Sequence, residues 1–220
     1  YKNRTVLIDS DGISYRGAIE QAGADIIRGG AADDVIIGDY GTITQEGLAA
    51  GVLDMLKNRN VVRIESTNAK TGGNDDIDAG GGFNIVIGGS GADKIVSTGG
   101  RDVVLGDNGY AIFEDGTVTE LATNAAEFGG NDTISSTGGR NILVGGSGND
   151  TITVLPGTGT DTGDVILGDN GKITFVGGKV TLIEGTDAAW YGRDVIKTGQ
   201  GDNIIIGGSG ADEITSQGGR

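Results

Sequence analysis

Gly88-Gly89-Ser90-Gly91-Ala92-Asp93-Lys94-Ile95-Val96 is a nine-residue phrase that returns, little changed, as Gly145 to Thr153 and again as Gly207 to Thr215. These copies are the visible part of a finer period. From Gly72 the chain divides into GGNDDIDAG, GGFNIVIGG, SGADKIVST, GGRDVVLGD and NGYAIFEDG. Position two is glycine throughout: Gly73, Gly82, Gly91, Gly100 and Gly109. Position four carries Asp75, Asn84, Asp93 and Asp102, then Ala111. Position six is apolar: Ile77, Val86, Ile95, Val104 and Phe113. The rows continue as Asp132, Asn141, Asp150 and Asp164, over Ile134, Leu143, Ile152 and Ile166, with one break in step at the insertion Pro156 to Thr160. They resume as Asp194, Asn203 and Asp212, over Ile196, Ile205 and Ile214. Upstream, Asp25 and Asp34 keep the row in an eroded form, with Ala32 where glycine is expected.

The period dictates geometry. Three residues around position six make a short strand whose middle side chain points inward. The glycine-rich remainder makes a tight turn that needs positive φ. Two nonapeptides then close one 18-residue coil with a strand on each side, and the inward columns form a thin core between two sheets. Such a core buries little apolar area per residue, so burial barely offsets the entropy of ordering the chain. Something besides hydrophobic contact must hold the turns.

A longer period overlies the short one. The marker Gly-Asp-Asn-Gly starts at Gly106 and Gly168, and a variant, Gly-Asp-Tyr-Gly, at Gly38. The chain accordingly divides into a degenerate first module at 1–71, modules at 72–128 and 129–190, and the start of a further one at 191–220. After each marker position four turns apolar, at Ile43, Ala111 and Ile173, so the aspartate row ends there. Tyr110 to Phe113 with Thr117 to Leu121, and Lys172 to Phe175 with Val180 to Glu184, read as β-hairpins around glycine-containing turns. Gly41 to Thr44 and Val61 to Glu65 flank a longer insert in which Leu48, Val52, Met55 and Leu56 have helical spacing. This pattern predicts roll segments of a few rungs, each closed by a marker and a hairpin. Phe128 and Trp190, each four residues before a first-rung aspartate, are expected to cover the open end of the next segment.

Composition narrows the chemistry. Glycine supplies 45 of 220 residues and the formal charge is −15. An acidic chain repels nucleic acid and anionic membrane surfaces and attracts divalent cations, about seven or eight of which would cancel the charge. There is no cysteine and no histidine, which excludes disulfides, thiolate metal sites and histidine general bases. No apolar run approaches the roughly 20 residues of a membrane span. Neither His-Glu-x-x-His nor Gly-x-Ser-x-Gly is present, so no catalytic residue is expected in this stretch. No Thr-x-Thr column repeats in register, which argues against an ice-binding solenoid.

Gly88 to Val96 and its two repeats fit G-G-x-G-x-D-x-U-x throughout, and here the chain resembles the repeats-in-toxin (RTX, hemolysin-type calcium-binding) family. The resemblance implies an all-β fold, a right-handed parallel β-roll (a β-solenoid) whose modules are interrupted by hairpins, with several Ca²⁺ ions between the turns. It implies pairwise ligation by Asp75 with Asp93, Asn84 with Asp102, Asp132 with Asp150 and Asp194 with Asp212, and by Asn141 with Asp164 across the insertion. Asp25 and Asp34 extend the rows. The chemistry agrees, because Ca²⁺ takes six to eight oxygen ligands and glycine leaves its carbonyl accessible. The chain departs from the pattern at Asn84, Asn141 and Asn203, where an amide oxygen ligates more weakly than a carboxylate. Asp39, Asp107 and Asp169 in the markers either close the last site or shape an Asx turn.

Two functions are compatible with these features. One is an extracellular or cell-surface structural repeat of adhesin, surface-layer or filament type, from a secreted bacterial protein, with neighbouring copies or flanking repeats as partners. The other is a calcium-stabilised region attached to a secreted protease, lipase or epimerase. A start at Tyr1, and a stop at Gly218-Gly219-Arg220 where Gly99-Gly100-Arg101 runs on into Asp102, lead us to expect a longer parent.

Overall fold

A computed structural model describes residues 6–9, 12–15, 23–45, 61–157 and 163–217. The helical spacing at 48–56 lies outside the described residues. The described chain forms three sheets.

The first sheet is ordered β2 (Gly12–Tyr15), β1 (Val6–Asp9), β4 (Asp34–Ile37), β8 (Ile85–Gly89), β10 (Val103–Asp107), β14 (Ile142–Gly146), β16 (Val165–Asp169) and β20 (Ile204–Ile206). It is parallel from β4 onward, and β1 caps it antiparallel. The second is parallel throughout: β3 (Ile26–Gly30), β7 (Asp76–Gly80), β9 (Lys94–Ser97), β13 (Thr133–Thr137), β15 (Thr151–Leu155), β19 (Val195–Thr198) and β21 (Glu213–Ser216). Facing one another, these two sheets are the walls of a parallel β-roll. Between them the position-six residues Ile77, Val86, Ile95, Val104, Ile134, Leu143, Ile152 and Ile166 are buried in one column of core, as the period requires.

The expected hairpins are present, and they assemble. β5 (Gly41–Gln45) with β6 (Val61–Ser66), β11 (Gly109–Glu114) with β12 (Thr117–Thr123), and β17 (Gly171–Val176) with β18 (Lys179–Gly185) pair side by side into a third, antiparallel sheet. β6 joins β11, and β12 joins β17. This sheet packs on the outer face of the first and makes a second core, from Ile64, Ala111, Leu121 and Ile173 against Ile87, Leu105, Val144 and Leu167. The thin two-sheet core read from the period is therefore only half of the packing. First-sheet strands are continuous apolar runs, such as Ile85-Val86-Ile87 and Val103-Val104-Leu105, because both faces are covered. Second-sheet strands, such as Thr133-Ile134-Ser135-Ser136, are polar on the outward-facing positions.

The roll is also continuous, where separate segments were expected. β9 pairs in parallel with β13, and β10 with β14, across the 128/129 boundary; β15 pairs with β19, and β16 with β20, across 190/191. The hairpins interrupt the chain but not the roll: each loops out onto the third sheet, and the next coil resumes on the edge left behind. No separate segment then has an open end for Trp190 to cover. It is 48% exposed, and its carbonyl accepts a hydrogen bond from Asn170 Nδ2 at 3.0 Å.

Candidate metal centre

The position-four residues lie where the glycine turns meet the strands, and continuity of the roll stacks them into two columns along opposite edges. On the first edge the backbone N–H of Asp25 donates to Asp75 Oδ1 at 2.7 Å, that of Asp75 to Asp93 at 2.7 Å and that of Asp93 to Asp132 at 2.7 Å. Asp132 continues to Asp150 at 2.7 Å, Asp150 to Asp194 at 2.9 Å and Asp194 to Asp212 at 3.0 Å. On the second edge the same bond runs from Asp34 to Asn84, Asn84 to Asp102, Asp102 to Asn141, Asn141 to Asp164 and Asp164 to Asn203, at 2.8 to 3.0 Å. Every neighbour pair read from the 18-residue spacing is brought together, including Asn141 with Asp164.

Each bond uses one carboxylate oxygen and leaves the other. Oδ2 of Asp75, Asp93, Asp132, Asp150 and Asp194 is buried without a hydrogen-bond partner. Buried carboxylate oxygens without donors are costly, and a cation is the usual remedy. The space beside each is made by a glycine at position eight of the preceding first-sheet nonapeptide. A Cβ on Gly88 would stand 2.5 Å from Asp93 Oδ2 and collide with the carbonyl of Gly106. Gly106, Gly145 and Gly168 repeat this against Asp132, Asp150 and Asp194, each facing the glycine carbonyl of the next coil. An anionic oxygen and a backbone carbonyl thus flank one cradle, coil after coil.

Electrostatics agree on this edge, although burial raises Asp102 on the second edge as well. Burial, opposed by the hydrogen bond from the Asp75 N–H and reinforced by the charges of Asp75, Asp39 and Asp107, pushes Asp93 up to about 9. Burial also lifts Asp75 to about 7 and Asp194 to about 6. Asp132 is raised well above the ordinary carboxylate range by burial and by Asp107, Asp150 and Asp93. These groups are poorly solvated as anions and repel one another unless a positive charge joins them.

The marker aspartates are placed differently. Asp39 accepts the N–H of Gly73 at 3.2 Å and of Ser90 at 2.6 Å; Asp107 accepts those of Gly130 and Ser147; Asp169 accepts those of Gly192 and Ser209. Each clamps the opening of one module to the serine of its Gly-Gly-Ser-Gly. The carboxylate of Asp39 lies over Gly89, whose φ of +119° and missing side chain give it room. Ser90 and Ser147 complete the junction by accepting from Asn108 and Asn170, both at 2.8 Å. The glycine cradles, these serine–asparagine contacts and the third sheet went unread in the sequence. The first had a signal, since position eight is Gly88, Gly106, Gly145 and Gly168 on alternate rungs.

Among the described residues no three acidic side chains converge on one point. Each cradle instead offers carboxylate oxygen together with backbone carbonyl, the all-oxygen donor set of a hard cation. Orphaned buried oxygens, glycine cradles and stacked acids fit Ca²⁺, which when bound supplies positive charge and a preference for six to eight oxygens. The fold and site define a calcium-binding β-roll. The family model for the RTX calcium-binding nonapeptide repeat matches four stretches, residues 21–42, 71–109, 128–160 and 191–220, and the chain belongs to that family. Repeats of this family bind several Ca²⁺ ions per domain. No curated protein and no solved structure matches the chain.

Proposed function

We propose that this stretch is an extracellular structural segment that folds and stiffens when Ca²⁺ fills its aspartate-lined edge, serving as a spacer within a larger surface or filament-type protein. The observation that carries this reading is the continuity of the roll: both parallel sheets run through every module boundary, and the hairpins form one sheet alongside. A stack whose coils pair only with their neighbours is suited to transmitting length and stiffness. The enzyme-attached alternative places catalysis outside these residues and shares the same calcium chemistry. Single-molecule extension of the chain tests the spacer reading. A spacer shows higher unfolding force in millimolar Ca²⁺ than in chelator; equal forces in the two conditions would rule out calcium-dependent stiffening.

A further inference from the structure

The two edges of the roll are chemically unequal. On the first, every position-four residue from Asp25 to Asp212 is aspartate, and from Gly38 onward the position-eight neighbour is glycine. On the second, aspartate alternates with Asn84, Asn141 and Asn203. There the equivalent cradle is open only at the start, where a Cβ on Gly29 would stand 2.5 Å from Asp34 Oδ2. From the next coil the position is taken by Ala79, Ser97, Ser136, Val154 and Thr198, every one of them buried. Ala79 and Val154 join the inner core. The Ser97 and Ser136 hydroxyls meet at 3.1 Å, and Thr198 Oγ1 accepts from Asn203 Nδ2 at 3.1 Å.

Asparagine completes the closure. Asn84 Nδ2 donates to the carbonyls of Gly80 and Gly81, Asn141 Nδ2 to Gly138, and Asn203 Nδ2 to Gly199, at 2.8 to 3.4 Å. Asn141 Nδ2 also reaches Asp164 Oδ1 at 3.0 Å. An amide N–H therefore engages turn carbonyls that a cation would need, and bridges to the neighbouring acid. Asp102 keeps a buried Oδ2 without a hydrogen-bond partner, as the first-edge aspartates from Asp75 to Asp194 do, so it is a position where a second-edge ion would show itself.

We infer that calcium is confined to the edge lined by Asp75, Asp93, Asp132, Asp150, Asp194 and Asp212, and that the opposite edge, from Asn84 to Asn203, is a metal-free seam closed by side chains. The inference rests on the calcium reading of the site. One wall of each coil then depends on the ion and the other on fixed hydrogen bonds and packing.

Counting bound ions tests it. Asparagine is a mild probe, because Asn84, Asn141 and Asn203 already accept the ladder N–H from Asp34, Asp102 and Asp164. Radioactive Ca²⁺ is equilibrated by dialysis with the full chain and with Asp93→Asn, Asp150→Asn and Asp102→Asn, with circular dichroism in saturating Ca²⁺ verifying the fold of each. Asp93→Asn and Asp150→Asn are each expected to lose at least one ion per chain, while Asp102→Asn keeps the parent stoichiometry. Loss from Asp102→Asn equal to that from Asp93→Asn overturns the one-edge assignment while leaving the calcium reading intact. A parent chain that binds no Ca²⁺ overturns both.

Discussion

The backbone N–H of Asp93 donates to Oδ1 of Asp132 at 2.7 Å although 39 residues separate them, the same length as the bond from Asp75 to Asp93 across 18 residues. The roll is indifferent to how much chain lies between coils, provided the excess leaves on a hairpin and returns to the same edge. The aspartate column is the element that registers each return. Its second oxygens remain to be neutralised.

Removing a member of the column should therefore cost more than removing an acid elsewhere. Asp93→Ala leaves the Asp75 N–H buried without an acceptor, about 1–3 kcal/mol, and deletes an anionic wall of one cradle. Asp115→Asn changes a hairpin tip with φ +49°, which asparagine tolerates, and should stay within about 0.5 kcal/mol. Melting temperatures in Ca²⁺ check the ranking, and equal values would contradict it. In chelator the gap should narrow, because the missing carboxylate was also a buried charge.

The cradle itself can be filled. Gly88→Ala places a methyl group against the Gly106 carbonyl and Asp93 Oδ2, so it should weaken Ca²⁺ binding and lower the melting temperature together. Gly177→Ala provides the contrast. Its φ of +57° makes alanine cost about 1 kcal/mol, but nothing lies within 4 Å of the added Cβ and Ca²⁺ affinity should not change. Titration of both variants by calorimetry separates loss of the site from loss of stability.

The raised carboxylates fix the direction of a pH effect. Without metal, Asp75, Asp93 and Asp150 hold their protons more tightly folded, at about 7, 9 and 9, than at the ordinary 3.8. Folding then takes up protons, so stability is greatest below the ordinary value and falls as pH rises through the folded values. In chelator the melting temperature should decline from about pH 4 to about pH 9. Saturating Ca²⁺, which favours the ionised form, should abolish or reverse that slope. A decline of the same size in both conditions would mean that these groups do not meet the ion.

The hairpin sheet should depend on its core rather than its charges. Lys172 pairs with Glu120 at 2.6 Å and Tyr110 donates to the same carboxylate at 2.7 Å, on a partly exposed face. Solvent screening leaves such a pair little weight, and Glu120→Ala should leave stability nearly unchanged. Leu121, adjacent in sequence but buried against the first sheet, should cost about 2–5 kcal/mol when cut to alanine. Chemical denaturation in Ca²⁺ compares the two.

The sequence made the columns legible because period nine ties each coil to the next by identity of position: Asp75, Asp93 and Ile77, Ile95 could be paired on spacing alone. Asn141 and Asp164 remained pairable across an insertion because the phase resumes after it. The third sheet was not legible. β6 meets β11, and β12 meets β17, through pairing between distant hairpins that imposes no period on the chain. It nevertheless left a trace: the unbroken apolar runs at Ile85-Val86-Ile87 and Val103-Val104-Leu105, against Asp76-Ile77-Asp78 and Lys94-Ile95-Val96, distinguish a sheet covered on both faces from one covered on one. The inequality of the edges was also written in position eight, where glycine alternates with Ala79, Ser97, Ser136 and Val154.

The stability of the roll turns on a buried acidic edge that requires a cation. The most direct measurement is far-ultraviolet circular dichroism during thermal unfolding of the full chain, in excess chelator and then in millimolar Ca²⁺. Each occupied site should add about 2.7 kcal/mol when Ca²⁺ stands at 100 times its dissociation constant, so the transition should move sharply upward and saturate as Ca²⁺ is added. A chain that is fully folded and equally heat-stable in chelator would contradict the account.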